Sequence, residues 1–303
     1  MDVRRLEVLR ELRLRGSVTA VAAATHRTPS AVSQQLKALE REAGATLTER
    51  SGRGLVLTAH GEALARAAGD VAVAIARADE VWRAYVESPE GRVQLAVFPT
   101  GGRMFLPQLL DRVRDVPGLD VVGTDVDTAL DDLPALASQF DVVIADAVGP
   151  SPALRDPHLV TRHLVDEPLD VALPEDHPLA SRDSVSAAQL VADPWIGVPA
   201  GFPFERVLHE VERVAGAPLD VVQRISDTRI TEALVAAGHG LAVLPRFTSG
   251  GAGSGVLLKP LEVIAPVRRI SAVLRRETTV RPSVRAVLAD LAAIAAGLSG
   301  PAA

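Results

Sequence analysis

The residues of this chain best suited to chemistry lie between positions 28 and 37, where polar side chains fall on one side of a predicted helix. Val32, Leu36 and Leu39 have the spacing of a buried helix face. The opposite face carries Ser30, Ser33, Gln34 and Lys37. Serine and glutamine can hydrogen bond to base edges in a DNA major groove, and lysine suits a phosphate. The pattern therefore favours recognition of nucleic acid.

Three short helices are predicted to position that face. They run from Asp2 to Arg15, from Val18 to Thr25 and from Pro29 to Ala43. Gly16 suits the end of the first helix, and Ser17 and Thr28 are hydroxyl caps for the second and third. Pro29 suits the first helical position, after a turn at residues 26–27. A helix, a tight turn and a second helix with a polar N-terminal half form a helix-turn-helix.

A basic, glycine-rich turn follows, between predicted strands at residues 45–49 and 55–57. Such a hairpin can form a wing beside the recognition helix. Arg50 and Arg53 would then lie near the phosphate backbone or the adjacent minor groove.

Residues 16–64, GSVTAVAAATHRTPSAVSQQLKALEREAGATLTERSGRGLVLTAHGEAL, resemble the N-terminal signature of LysR-type transcription regulators. The resemblance implies base contacts from the opening turns of the recognition helix and backbone contacts from three basic residues. The implied base-contacting residues are Thr28, Pro29, Ser30, Ser33 and Gln34, and the implied backbone contacts are Lys37, Arg50 and Arg53. Two positions depart from the family, which usually has an aromatic residue at Thr48 and often arginine at Gln34. The alternative reading is a three-helix domain that does not bind DNA.

A long helix is predicted from Ala59 to about Val86. Apolar residues recur in it at alternating steps of four and three, which is the period of a coiled-coil seam. The seam residues are Leu64, Ala68, Val71, Ile75, Ala78, Trp82 and Tyr85. A helix of this length spans roughly 40 Å, more than one small domain covers, so we expect a homodimer or homotetramer. LysR-type proteins dimerise at this place; the alternative is a helix packed on its own domain.

From Arg92 onward, short apolar runs alternate with helical stretches, which predicts an α/β domain with largely parallel sheets. The predicted strands are Val93 to Phe98, Asp120 to Thr124, Asp141 to Ala145, Leu169 to Leu173, Trp195 to Val198, Val221 to Ile225, Leu241 to Leu244 and Ile270 to Leu274. The predicted helices are Phe105 to Arg114, Leu130 to Ser138, Phe204 to Ala215, Thr228 to Ala237 and Ser283 to Gly297. The pattern is similar to the two-lobed, periplasmic-binding-protein-like domain of the family.

The predicted fold class is thus α plus α/β. A winged helix-turn-helix occupies residues 1–58, a dimerisation helix residues 59–88 and an effector domain residues 92–303. We place the first lobe at residues 92–165 and 265–303, and the second at 166–264.

The effector pocket is predicted where strands end and helices begin, because such ends offer free backbone donors. The loop at residues 98–102 supplies Thr100 and Gly101, and Asp146 ends another strand of the first lobe. The second lobe contributes Pro199 and Phe202. Two alternatives stay open: Asp146 caps a turn, and Phe202 and Phe204 belong to a core.

Composition excludes several classes of protein. The 303 residues suit two or three domains, with 48% hydrophobic and 23% charged residues. The net charge is −6, yet residues 1–60 hold ten Lys and Arg against six Asp and Glu, as expected when only this end binds DNA; the alternative is a solvated helical surface. Without cysteine, there can be no disulfide framework, thiolate zinc site or cysteine nucleophile. Neither a membrane-spanning run nor a secretory signal is present, which predicts a cytoplasmic protein.

We find no catalytic constellation, metal-ligand spacing or cofactor motif, and therefore expect no enzyme activity, metal or cofactor. The seven histidines are scattered, and the run at residues 249–255 matches no phosphate loop. The expected partners are a double-stranded DNA operator and an unidentified small-molecule effector. The competing hypotheses are an enzyme or solute-binding protein with an acquired helix-turn-helix, and an architectural DNA protein that needs no ligand.

Overall fold

A computed structural model of the chain describes residues 1–51, 54–84, 89–126 and 132–298. The predicted site residue Arg53 and the predicted seam residue Tyr85 lie outside these ranges. Within them, no helix is both long and apolar enough to cross a membrane.

The N-terminal head consists of three helices and a hairpin. Its elements are α1 (Val3–Arg15), α2 (Val18–Ala24), α3 (Pro29–Ala43), β1 (Thr48–Ser51) and β2 (Gly54–Leu57). The predicted caps are confirmed, since the N–H groups of Ala20 and Ala31 donate to the hydroxyls of Ser17 at 3.1 Å and Thr28 at 3.2 Å. His26, in the turn before α3, has a φ of 51°, a left-handed conformation that non-glycine residues adopt uncommonly. The turn therefore reverses the chain without a glycine.

The helix α4 (Ala59–Ala84) joins the head to the rest of the chain. Its first half packs on α1, so Leu64, Ala68 and Val71 lie against or within the core of the head. Ala68 is buried, which corrects its assignment to a partner-facing seam, because the head already covers this stretch. The alternative of a helix packed on its own domain thus holds for the first half of α4.

The second half of α4 has a bare apolar face. Ile75 and Ala78 are exposed, and Val81 and Trp82 are each 72% exposed. Val81 was absent from the predicted seam. Burial of large apolar side chains is favourable, so this half is the part of α4 that is open to a second chain.

Two lobes follow. The first lobe contains β3 (Gly91–Val97), α5 (Pro99–Val113), β4 (Leu119–Asp125), α6 (Leu133–Gln139), β5 (Val142–Val148), the start of β6 (Leu159–Pro174), β11 (Val267–Arg275) and α10 (Pro282–Leu298). The second contains the end of β6, α7 (Ala187–Leu190), β7 (Pro194–Gly197), α8 (Glu205–Ala215), β8 (Asp220–Arg224), α9 (Thr228–Ala236), β9 (Ala242–Pro245) and β10 (Val256–Lys259).

The strand β6 runs through both lobes. It pairs with β11 up to Pro168 and with β9 from Leu169 onward, and Leu169 N–H donates to Pro266 O at 2.9 Å. The chain passes between the lobes twice here, along β6 and along the segment that leads into β11, and we call this place the hinge. In the described residues of the two lobes, β3 pairs in parallel with β4 and β5, and β7 pairs in parallel with β8, whereas β6 pairs antiparallel with β9, β10 and β11, and β11 pairs antiparallel with β5.

The sheets are therefore mixed rather than largely parallel: parallel pairing is confirmed within each lobe, for β3 with β4 and β5 and for β7 with β8, and the strands around the crossing between the lobes pair antiparallel. The chain leaves and re-enters the first lobe along neighbouring strands, and that return forces antiparallel pairing at the hinge. Sequence reading also missed β10 and the first half of β6.

Each lobe has apolar clusters on both faces of its strands, because successive side chains of a strand point to opposite sides. On β3, Leu95 and Val97 face α5 and α10, while Ala96 faces α6. In the second lobe, Leu169 and Val171 of β6 pack in the cluster with α8, and Ala172 packs in the cluster with α9. Helices on both faces leave the strand ends to form the space between the lobes.

Candidate nucleic-acid interface and interlobe cleft

The polar edge of α3 lies at the surface of the head. Its apolar face is buried on α1 through Val32, Leu36 and Leu39. Of the predicted contact residues, Thr28, Pro29, Ser30, Gln34 and Lys37 are exposed and Ser33 is half-buried. The edge that sequence analysis selected is therefore accessible in the docked head.

The hydroxyls of this edge already have partners within the helix. Thr28 Oγ1 lies 2.9 Å from Ser30 Oγ, and Ser33 Oγ donates to Pro29 O at 2.9 Å. The Gln34 amide makes no hydrogen bond to any residue that the structure describes. A glutamine amide can donate and accept at one base edge, so Gln34 is the group of α3 best prepared to bind an adenine.

The wing is tied to α3 through a carboxylate. Glu40 Oε1 accepts from Leu47 N–H at 2.9 Å, Thr48 N–H at 3.0 Å and the Thr48 hydroxyl at 3.1 Å. Thr48, which stands where LysR-type signatures carry an aromatic residue, thus bonds to Glu40. Arg50, in β1, is exposed beside the wing turn.

A cleft of about 730 Å³ separates the lobes. Of the predicted effector residues, Thr100, Asp146, Pro199 and Phe202 line it. Gly101 does not: it is buried in α5, and a Cβ at this position would lie 2.8 Å from the Phe98 ring. Gly101 is therefore a packing residue.

Two predicted features of the cleft differ in the structure. Residues 99–102 form the first turn of α5 rather than a loop, since Pro99 suits the first position of a helix. Asp146 lies inside β5, opposite Ile270 of β11, rather than at the end of its strand. Successive side chains of β5 point to opposite faces of the sheet. The Asp146 side chain is on the face from which its carboxylate reaches the cleft.

Arg268, at the centre of the cleft floor, was not predicted from the sequence. Its side chain is 2% exposed and donates from Nε to Glu167 Oε2 at 2.6 Å and from Nη2 to Thr100 Oγ1 at 2.9 Å. Its Nη1 lies 3.6 Å from Asp146 Oδ2. One guanidinium therefore joins the hinge strand β6, the first turn of α5 and β5.

The same guanidinium also touches both lobes through aromatic rings. Its Cζ lies 5.1 Å from the Phe98 ring centre, in the first lobe, and 5.6 Å from the Phe204 ring centre, in the second. Both distances are within cation–π range. Phe204 in turn meets Phe202 edge to face, with ring centres 5.6 Å apart.

Glu167 faces Arg268 directly in the β6–β11 ladder. Burial raises the pKa of the Glu167 carboxyl, and the Arg268 guanidinium and the Phe247 N–H, which donates to Glu167 Oε1 at 2.7 Å, oppose that rise. Strand periodicity could have found the pair. Arg268 is in phase with the buried Ile270 and Ala272, as Glu167 is with Leu169, and buried charges require partners.

The second lobe adds a paired charge at the mouth of the cleft. Asp227 caps α9 by accepting from Arg229 N–H at 2.8 Å, and the Arg229 side chain lies 3.2 Å from the same carboxylate. The Arg229 side chain, followed by its backbone N–H, lowers the pKa of Asp227. The described residues contain no group of three or more His, Asp or Glu side chains that could hold a metal ion.

Two family profiles cover most of the chain. Residues 3–62 match the bacterial regulatory helix-turn-helix of the LysR family, and residues 87–295 match the LysR substrate binding domain. The transcriptional activator CmpR of Synechocystis is 27% identical over 258 residues, which cover 85% of this chain and 83% of that protein.

Two solved structures have the same fold. Full-length OxyR from Pseudomonas aeruginosa matches with a TM-score of 0.62 and 22% identity, covering 97% of each chain. CbnR in complex with its target DNA matches with a TM-score of 0.54 and 22% identity, covering 97% of this chain and all of CbnR.

Proposed function

Because the chain belongs to the LysR family, and is a DNA-binding transcription regulator with an effector-binding domain, we propose how its own residues divide that work. The recognition edge of α3 reads an operator, the second half of α4 pairs two chains, and the cleft binds a small-molecule effector. The observation that carries the proposal is the exposed polar edge of α3 on a helix whose other face is buried in the head.

Base reading is assigned to Gln34 first, with Ser30, Ser33 and the cap Thr28 beside it. Lys37 and Arg50 are backbone contacts, which set affinity and its salt dependence without reading sequence. Arg53 has the same proposed role from its place in the wing turn. A dimer presents two such edges to a two-part operator, which increases affinity through the linked second contact.

We assign the pairing of chains to Ile75, Ala78, Val81 and Trp82 rather than to the whole predicted seam. Trp82 is the largest of these and is exposed in the single chain. Buried aromatic residues commonly contribute most to an interface. A homodimer is the smallest assembly that covers this face, and a homotetramer pairs two of them.

The cleft is assigned to binding rather than to catalysis. Two of its acidic groups, Asp146 and Asp227, are paired with Arg268 and Arg229, which is the arrangement of a rigid recognition surface. Some relatives are described as hydrogen peroxide-inducible gene activators, but this chain contains no cysteine. Thiol oxidation therefore cannot be its signal, and we propose a bound metabolite instead. Because a bacterial regulator meets its operator DNA inside the cell, we place the protein in the cytoplasm.

Genomic footprinting of the purified protein, with and without a panel of metabolites, tests the function. We expect a small set of protected sites whose protection changes with one metabolite. Protection of no site in either condition, or turnover of a metabolite without DNA binding, would reject the proposal.

Two substitutions test base reading. Gln34→Ala and Ser33→Ala should lower operator discrimination more than affinity for random DNA, with Gln34→Ala costing about 1 to 3 kcal/mol of discrimination. Lys37→Gln is the matched control, since it should weaken both DNAs alike. Equal losses on operator and random DNA for Gln34→Ala would remove this residue from the reading surface.

A further inference from the structure

The head is docked on the first lobe by ion pairs. Arg10 of α1 pairs with Glu277, which follows β11, and Arg13 Nη2 lies 3.6 Å from Asp156 Oδ1. Further along, Arg15 donates to Ser138 O at 3.0 Å. These contacts join α1 to three separate segments of the first lobe, and we call this contact zone the junction.

A cavity of about 150 Å³ lies inside the junction. Arg10 of the head and Arg66 of α4 line it on one side, and the first lobe lines it with Arg275, Arg276, His158 and Glu277. Four guanidinium groups thus face one carboxylate in a shared space. One water needs roughly 10 to 15 Å³ of such space, so the cavity has room for a small polyatomic ion.

Arg10 donates to Glu277 and Glu11, but the other three arginines of the cavity have few or no protein partners. Arg66 is exposed and has no ion pair or hydrogen bond with any described residue. Arg275 makes no hydrogen bond there either, since its nearest carboxylate oxygens are 3.5 Å away on Glu277 and 3.8 Å away on Glu11. Arg276 has one ion pair of 3.2 Å, to the exposed Asp70.

Individual buried nitrogen atoms at the cavity also lack hydrogen-bond partners. The Nε atoms of Arg10 and Arg275 are buried without a hydrogen-bond partner among the described residues, and His158 Nε2 is buried 3.5 Å from Glu62 Oε2. Buried polar groups in folded proteins are nearly always bonded. Their accumulation at one cavity, together with like charges, indicates an anionic occupant.

We propose that the junction cavity binds a small tetrahedral oxyanion, either free phosphate or the terminal phosphate of a small metabolite. Arginine is the side chain best matched to phosphate, because its planar fork donates two parallel hydrogen bonds. The ion would be held by Arg66, in the half of α4 that packs on the head, and by Arg275 and Arg276 of the first lobe. Its occupancy therefore fastens the head to the sensor at a place separate from the interlobe cleft.

Titration of inorganic phosphate into the full chain, at constant ionic strength against chloride, tests the site. We expect a saturable rise in Tm and slower amide exchange at residues 3–15 and 275–280 together. Arg66→Gln and Arg276→Gln should each weaken apparent phosphate affinity by about tenfold or more, the value of one charge-assisted hydrogen bond.

Two controls keep the test specific. Arg182→Gln removes an exposed arginine of the second lobe that has no side-chain partner among the described residues, and it should bind phosphate as the parent chain does. Lys37→Gln should also leave the response to phosphate intact. Loss of the response in this variant would mean that phosphate binds at the DNA-reading edge instead of at the junction.

Absence of a saturable response would overturn the proposal, as would equal affinities of the Arg66→Gln and Arg182→Gln variants or loss of the response in Lys37→Gln. Glycerol 3-phosphate separates the two ligand sources. Tighter binding of this ester than of phosphate identifies a phosphorylated metabolite, and binding of phosphate alone identifies the free ion; both results support the site.

Discussion

The ionic contacts at the hinge and those at the junction are both largely shielded from water. The hinge contacts join neighbouring strands of one sheet, whereas the junction contacts join the head to the first lobe. Arg268 and Glu167 are neighbours in one β-ladder, so strand pairing holds them together. Arg10 and Glu277 are 267 residues apart, and only docking of the head holds them together. The hinge pair is therefore part of the sensor fold, whereas the junction pair is a property of the arrangement of two units.

That difference predicts different responses to salt and to substitution. A fully buried pair is barely screened by dissolved ions, and removal of one partner leaves an uncompensated charge. A pair at the edge of a docking surface is screened more and can be replaced by water when the surfaces separate. Substitutions at the hinge should therefore cost more free energy of unfolding than substitutions at the junction.

Arg268→Met should have the largest effect, a loss of about 3 to 5 kcal/mol in the free energy of unfolding of the sensor, because Glu167 is left buried without its partner. The double variant Arg268→Met/Glu167→Gln should recover much of this loss, since the buried charge is gone and the amide oxygen can still accept from Phe247 N–H. Urea unfolding followed by circular dichroism measures both. A double variant no more stable than the single one would show that the guanidinium matters for packing rather than for charge.

Thr100→Val should cost about 1.5 to 2 kcal/mol, because it removes a hydrogen bond to a charged group while keeping the side-chain shape. The loss should be the same in low and high salt, as expected for a buried hydrogen bond. Urea unfolding of Thr100→Val and of Thr100→Ser, which keeps the hydroxyl, checks this. A loss in Thr100→Ser as large as in Thr100→Val would rule out the hydrogen bond as the cause.

Glu11→Gln should have a smaller effect, about 1 kcal/mol, because the amide oxygen can still accept from Arg15, and the loss should shrink in 1 M salt because the arginines around Glu11 keep some contact with solvent. The Glu11 carboxylate lies 3.8 Å from Arg275 Nη1 across the junction, and it also contacts Arg15 and Arg10 of its own helix. Thermal unfolding in low and high salt measures the change. Glu210→Gln, on the exposed side of α8, is the control for loss of a surface pair. A salt-independent loss in Glu11→Gln would place the junction pairs in the same class as the hinge pair.

The smallest expected effect concerns His158 and pH. Burial, followed by the Arg13 guanidinium, lowers the pKa of His158, while Asp156 and Glu62 oppose the shift. A histidine whose pKa is lower in the folded chain protonates first in the unfolded chain, so stability should fall as pH drops through the usual value of about 6.5. The other charged groups that face this space across the junction cavity are Arg10, Arg66, Arg275, Arg276 and Glu277.

The decline in Tm between pH 7.5 and pH 6 should therefore be smaller in His158→Gln than in the parent chain. His239→Gln, on an exposed turn of the second lobe, is the matched control. Identical pH profiles for the parent chain and His158→Gln would contradict the assignment.

The same contrast explains what could be read from the sequence. The head was predictable because its signals are local: Thr28 followed by Pro29 starts α3, and Val32, Leu36 and Leu39 mark its buried face within ten residues. The cleft was predictable in part, since Thr100 and Pro199 follow strands and strand ends collect ligands. Gly101 was misassigned because proximity in sequence to Thr100 says nothing about which side of a helix turn faces the cleft.

The features of the structure that could not be predicted depend on contacts between residues that are distant in the sequence. The first half of β6 was not predicted because Thr161, Arg162 and His163 interrupt its alternation of apolar residues. This half is stabilised as a strand by its hydrogen-bonded pairing with β11 rather than by the intrinsic strand propensity of its residues. The junction pairs have no local signature at all. A rule for buried charges on strands would have found Arg268, but only the fold identifies Glu277 as the partner of Arg10.

The docked head bears on attempts to build biosensors by joining the DNA-binding part of one regulator to the ligand-binding part of another. A grafted head would have to supply acidic and basic groups at the positions of Arg10, Glu11 and Arg13, or it would rest on the sensor with mismatched charge. Compatibility of such chimeras should thus depend on a few positions of the first helix, far from both the operator and the inducer.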